Sequence, residues 1–105
     1  MNEIDIDIHS LSSKEFAGYK LIDIREPEEY AIMPAFTDKV EYVPFSEFPE
    51  NIDYFNKNGS YLIFCAKGGR SHYMAEMLSQ QGVRALSVDN GIASVNAYLK
   101  RMSED

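Results

Sequence analysis

Short apolar runs separated by helix-like segments recur along the whole chain, and this alternation restricts its possible folds more than any other feature. Ile4, Ile6 and Ile8 alternate with acidic residues as in a first strand. Ser12 and Glu15 then have the spacing of a capping box, which predicts a short helix reaching about Gly18. The runs Leu21–Ile24, Val40–Val43, Tyr61–Phe64 and Leu86–Val88 each predict a brief strand. Between them, Glu26–Tyr30 carries proline and acids where a helix N-terminus favours them, and Pro49–Phe55 has room for one or two turns. The clearest helix is Ser71–Gln81, with Met74, Met77 and Leu78 at helical spacing and Gly82 as its stop; another runs from about Ile92 to Met102. The stretch Ile32–Lys39 fits no element and is expected to be a surface loop. Strands alternating with helices predict an α/β fold: a parallel sheet covered by helices on both faces and connected by right-handed crossovers.

A chain of 105 residues corresponds to a single domain over residues 1–105, and its 45% hydrophobic and 26% charged residues are those of a globular protein. The net charge of −7 opposes attraction to nucleic-acid backbones and to anionic membranes. No apolar run approaches the roughly 20 residues that span a bilayer, and the opening MNEIDIDIHS is acidic where a secretory signal is basic and then greasy. The expected location is therefore cytoplasmic. Cys65 is the only cysteine, so it can form neither an internal disulfide nor a multi-thiolate metal site. Its purpose is either packing or reactivity.

The surrounding stretch, Tyr61-Leu62-Ile63-Phe64-Cys65-Ala66-Lys67-Gly68-Gly69-Arg70-Ser71-His72, reads as an apolar strand, a glycine turn and a helix. Ligands bind beyond the carboxyl ends of strands in open parallel sheets, and Cys65 falls at such an end. The turn after it aims backbone N–H groups at one point, and the helix adds the positive end of its dipole. Such a cradle favours an anion and would lower the pKa of a cysteine placed in it. Gly68 and Gly69 permit the tight path, and Lys67 and Arg70 bring positive charge. The plainer reading makes Cys65 a small buried hydrophobe and the glycines an ordinary turn. The complete order of strand, cysteine, two glycines, arginine and helix favours the reactive one.

At this point the chain resembles the rhodanese-like family of single-domain sulfurtransferases. Three segments carry the likeness. Leu21-Ile22-Asp23-Ile24-Arg25 followed by Glu28-Glu29-Tyr30 is similar to the family's Asp-x-Arg and Glu-Tyr segment. Cys65 through Ser71 looks like its active-site loop. Gly82-Val83 through Val88-Asp89-Asn90-Gly91-Ile92 is similar to its closing strand and Gly-Gly turn, with Asn90 in place of one glycine. The resemblance implies a five-stranded, mainly parallel sheet and a Cys65 that accepts a sulfane sulfur as a persulfide. It further implies that the backbone amides of Ala66, Lys67, Gly68, Gly69, Arg70 and Ser71 hold that persulfide. Arg70 and Lys67 would attract an anionic donor such as thiosulfate, and cyanide or a thiol, including a thioredoxin-like protein, would accept the sulfur. Neither a cofactor nor a metal is implied.

Two departures stand out. The family's His-Ile-x-Gly-Ala segment is missing between Ala31 and Val43, where only Val43-Pro44 is kept, and its tryptophan in the last helix is absent, leaving Val95 or Tyr98 to pack there. Asp23, Arg25 and Glu29 read as structural residues near the site, with Arg25 expected to pair with Glu29 four residues later and Asp23 to cap the turn. His72 lies on the first turn of the helix after the loop, where its expected role is not catalytic, and His9 has no assigned role. A cysteine phosphatase or arsenate reductase is the rival enzyme, but four residues between Cys65 and Arg70 make a shorter loop than those enzymes carry. A non-catalytic protein-binding module of the same fold is the other alternative.

Overall fold

The computed structural model describes residues 3–104; Met1 and Asn2 lie outside them, as does Asp105, which ends the acidic run Ser103-Glu104-Asp105. Five strands, β1 (Asp5–Ile6), β2 (Lys20–Asp23), β3 (Glu41–Tyr42), β4 (Ser60–Phe64) and β5 (Arg84–Val88), form one sheet in the order β1-β5-β4-β2-β3. Every neighbouring pair is parallel. Parallel neighbours cannot be joined by a tight hairpin, so each connection crosses over. The helices α1 (Ser13–Ala17), α2 (Pro27–Ile32), α3 (Gly69–Gln80) and α4 (Gly91–Ser103) lie in those connections and after β5. Between β3 and β4 there are only 3-10 turns, Phe45–Glu47 and Ile52–Tyr54.

The middle strand explains how two cores form from one apolar run. Tyr61, Ile63 and Cys65 project to one face and pack with Met74, Ala75 and Leu78 of α3. Leu62 and Phe64 project to the other and pack with Ile92, Val95 and Tyr98 of α4. Period-two alternation in a strand covered on both faces thus leaves no polar side, as expected for a central parallel strand. Val95 and Tyr98 are both buried, and the Tyr98 hydroxyl donates to the Leu11 carbonyl at 2.8 Å. Both belong to the core cluster between α4 and the sheet.

Local chemistry moved several boundaries. The alternation at Ile4, Ile6 and Ile8 predicts a longer first strand, but Ile8 opens a 3-10 turn capped by the Asp7 carboxylate, which accepts the His9 N–H at 3.0 Å. The capping box forms as expected: Ser12 Oγ accepts the Glu15 N–H at 3.1 Å, and the Glu15 carboxylate accepts the Ser12 N–H at 2.9 Å. The loop after α2 is tied down by buried Asn96 of α4, whose side chain accepts the Phe36 N–H at 2.8 Å and donates to the Pro34 carbonyl at 3.0 Å. Ile32 and Phe36 remain exposed around that anchor. Among the described residues no helix is long and apolar enough to cross a membrane.

Candidate active site

Cys65 is the residue immediately beyond β4, and its chain turns sharply at Gly68, where φ is +119°. A side chain resists that backbone conformation, so glycine is required there. Gly69 differs from expectation: it has no positive φ and joins α3, which therefore begins two residues before Ser71. Glycine's low helix propensity is what hides this earlier start from a sequence reading. The turn and the first helical residues fold back over the sulfur.

The Gly68 N–H donates to Cys65 Sγ at 3.1 Å, and Ser71 Oγ lies 3.5 Å from the same atom. Cys65 is 1% exposed. That burial pushes the thiol pKa up, but the Ser71 hydroxyl and the backbone N–H groups of Ser71, Gly68 and Lys67 outweigh it, so the net shift is downward. Burial alone suits an inert cysteine as well as a reactive one. Several donors converging on the sulfur suit a sulfur that carries charge, because a neutral thiol is a weak acceptor. The N–H groups of Ala66, Gly69 and Arg70, by contrast, are not among the sulfur's hydrogen-bond partners.

Glu29 and Arg70 are joined across 41 residues of sequence. The two guanidinium nitrogens of Arg70 donate to the two oxygens of Glu29 at 2.7 and 2.8 Å, a bidentate pair that anchors the loop to α2. These bonds hold the Glu29 carboxyl at about 2, against a smaller upward push from desolvation. The pair's stabilisation is therefore complete above the ordinary carboxyl value of 4.5 and fades as the pH falls toward about 2. Lys67 is exposed and forms no ion pair among the described residues.

The expected partnership of Arg25 with Glu29 is not formed. Arg25 binds Asp23 instead, donating from Nε at 3.0 Å and from a terminal nitrogen at 2.8 Å, and its backbone N–H also reaches Asp23. Residues 23 and 25 project to the same side of an extended segment, so their side chains meet first. Both are buried, and the Arg25 guanidinium lies 5.8 Å from the Phe64 ring centre, directly before Cys65. Of Glu29, only the backbone carbonyl is reached by Arg25, at 3.5 Å. His72 faces away from the sulfur: its Nδ1 lies 2.9 Å from the Asp5 carboxylate on β1, which raises its pKa.

Two residues that the sequence reading did not select complete the site. Gly91 has φ of +55°, and a Cβ there would stand 2.3 Å from the Cys65 carbonyl oxygen and 2.5 Å from that of Ala66. Ile92 donates its N–H to the same Cys65 carbonyl at 2.9 Å. The turn before α4 thus clamps the cysteine loop by its backbone. Asn90, with φ of 64°, occupies the preceding left-handed position, which asparagine tolerates better than most side chains. Gly91→Ala is expected to destabilise the protein by roughly 2–4 kcal/mol through the left-handed strain and the clash together. Chemical denaturation checks this, and an unchanged midpoint would mean that the two turns separate without cost. The second residue is Ser87 of β5, wholly buried, with its Oγ 2.6 Å from that of Ser71.

Comparisons with known proteins point the same way as this geometry. The chain matches the Rhodanese-like domain family over residues 9–98. It is 29% identical over 72 residues to YtwF of Bacillus subtilis (strain 168), whose name proposes a sulfurtransferase; the match covers 69% of this chain and 68% of that protein. It is also 34% identical over 74 residues to a tRNA sulfurtransferase of Shewanella pealeana (strain ATCC 700345 / ANG-SQ1), covering 69% of this chain and only 15% of that longer protein. Among solved structures, a rhodanese-related protein from Thermoplasma volcanium superposes with a TM-score of 0.74 at 26% identity, covering 96% of this chain and 93% of the other.

Proposed function

This chain belongs to the rhodanese-like domain family, and from that premise we propose that it is a sulfurtransferase carrying a sulfane sulfur as a persulfide on Cys65. The observation that carries the reading is the convergence of the Gly68 N–H and the Ser71 hydroxyl on Cys65 Sγ. Donors preorganised around an anion stabilise it without reorganising during reaction. They serve a thiolate and, one atom further out, a terminal persulfide sulfur.

With thiosulfate as donor, the Cys65 thiolate attacks the sulfane sulfur, a new sulfur–sulfur bond forms, and the old one breaks with its electron pair leaving on sulfite. The persulfide keeps the single negative charge of the thiolate. Cyanide or an external thiolate then attacks the outer sulfur and returns Cys65 to its starting state. Cys65 is the only cysteine, so the acceptor comes from outside the chain, and a thioredoxin-like protein fits that role. With Cys65 1% exposed, the donor presents its sulfur end-on at the mouth of the loop.

Arg70 is already committed to Glu29, which leaves Lys67 as the loop's free cation for an anionic donor. Lys67→Gln is expected to raise KM for thiosulfate about three- to tenfold with kcat little changed, the pattern of lost uniform binding. Steady-state thiocyanate formation from cyanide measures both constants and tests the function itself. Hydrolysis of an aryl phosphate dependent on Cys65, without thiocyanate formation, would favour the phosphatase alternative. The committed guanidinium weighs against that reading, since a tetrahedral oxyanion needs the fork free.

A further inference from the structure

Ser71 Oγ has three neighbours: Cys65 Sγ at 3.5 Å, the Gly68 carbonyl at 3.2 Å and Ser87 Oγ at 2.6 Å. It owns one proton to place among them. Ser87 has a single side-chain partner, Ser71, and both residues are wholly buried. If Ser71 donated to Ser87, the buried Ser87 proton would have no other acceptor among the described residues, and the sulfur would receive nothing from the Ser71 hydroxyl. A stranded buried donor of that kind is costly. If Ser87 donates to Ser71, both hydroxyls are satisfied and the Ser71 proton is free. The Gly68 carbonyl already accepts the His72 N–H at 2.9 Å, so a charged sulfur is the better destination.

We propose that Ser87 is a positioning residue: by donating to Ser71 Oγ from β5, it turns the Ser71 hydroxyl toward Cys65 and strengthens it as a donor to the thiolate. The strand suits this duty. β5 lies between β1 and β4, and the Ser87 N–H is itself bonded to the Ile4 carbonyl at 2.7 Å, so its hydroxyl is presented from a rigid element. A chain of hydrogen bonds polarises along its length, so the distant hydroxyl acts on the sulfur without touching it. This inference deepens the reading of Cys65 as the sulfur-bearing thiolate and rests on it.

The test is the apparent pKa of Cys65, from thiolate absorbance and from the pH dependence of its alkylation by iodoacetamide. Ser87→Ala is expected to raise that pKa by about half a unit to one unit and to slow alkylation at neutral pH about three- to tenfold. In a Ser71→Ala background the same change is expected to have no further effect, because Ser87 acts only through Ser71. An unchanged pKa in folded Ser87→Ala, or an equal shift with Ser71 already removed, would overturn the proposal. Should Ser87→Ala not fold, Ser87→Thr and Ser87→Val add the same bulk and differ by the hydroxyl alone. Threonine is expected to keep the lowered pKa and valine to lose it, and equal values in the two would overturn the proposal. No sulfur donor enters these measurements. A wild-type protein that shows the pKa pattern but transfers no sulfur would defeat the proposed function and leave the role of Ser87 standing.

Discussion

Cys65→Ser is expected to abolish sulfur transfer, by at least about a thousandfold, while leaving the fold intact. Serine keeps nearly the shape of cysteine, and the Gly68 N–H and Ser71 hydroxyl that meet Sγ are able to meet an oxygen as well. What is lost is the nucleophile. A serine hydroxyl does not ionise at neutral pH without a general base beside it, and His72, on the first turns of α3, is turned to Asp5. Nor does an oxygen form a persulfide. Thiocyanate production by the variant, together with its melting temperature, measures the two halves of the expectation. Retained activity would place the chemistry elsewhere than at Cys65.

Arg25→Met carries the largest expected loss of stability, about 3–5 kcal/mol, the usual consequence of leaving a buried charge without its partner. Asp23 is 0% exposed and spends both carboxylate oxygens on Arg25. Removing the guanidinium strands that carboxylate beneath the cysteine loop. In a domain of this size the loss corresponds to a melting temperature lower by roughly 15 °C or more. Asp23→Leu combined with Arg25→Met is expected to regain most of it, because a buried ion pair replaced by apolar groups is often neutral. Thermal denaturation of the two variants beside the parent decides the matter. A single variant as stable as the parent would show that Asp23 finds water or another donor.

The parts of this architecture that depend on local pattern were readable from the residues alone. Alternating apolar runs announced the parallel sheet, and Ser12 and Glu15 announced the start of α1, since each rests on neighbours a few positions apart. The cysteine loop was readable for the same reason: Cys65, Gly68 and Ser71 lie within seven residues and form one strand-turn-helix unit. The helix start at Gly69 was hidden because it depends on where φ turns positive, and two adjacent glycines leave that choice to tertiary structure. Partnerships across the fold were hidden more deeply. Arg25 and Glu29 have the spacing of a helical pair, yet Arg25 lies before α2 and turns inward to Asp23, while Glu29 faces Arg70. Gly91 and Ser87 matter only because β5 and α4 bring them under a loop that lies 16 or more residues earlier in sequence. The Asn90-Gly91 pair did signal a turn, but not what that turn presses against.

The most direct test of a persulfide on Cys65 is the intact mass of the reduced protein after incubation with thiosulfate. The account predicts a gain of one sulfur atom, absent from Cys65→Ser and removed by cyanide with release of thiocyanate. A mass unchanged by thiosulfate, by polysulfide and by a persulfide-bearing protein would contradict it, and would leave this chain a binding module built on a sulfurtransferase fold.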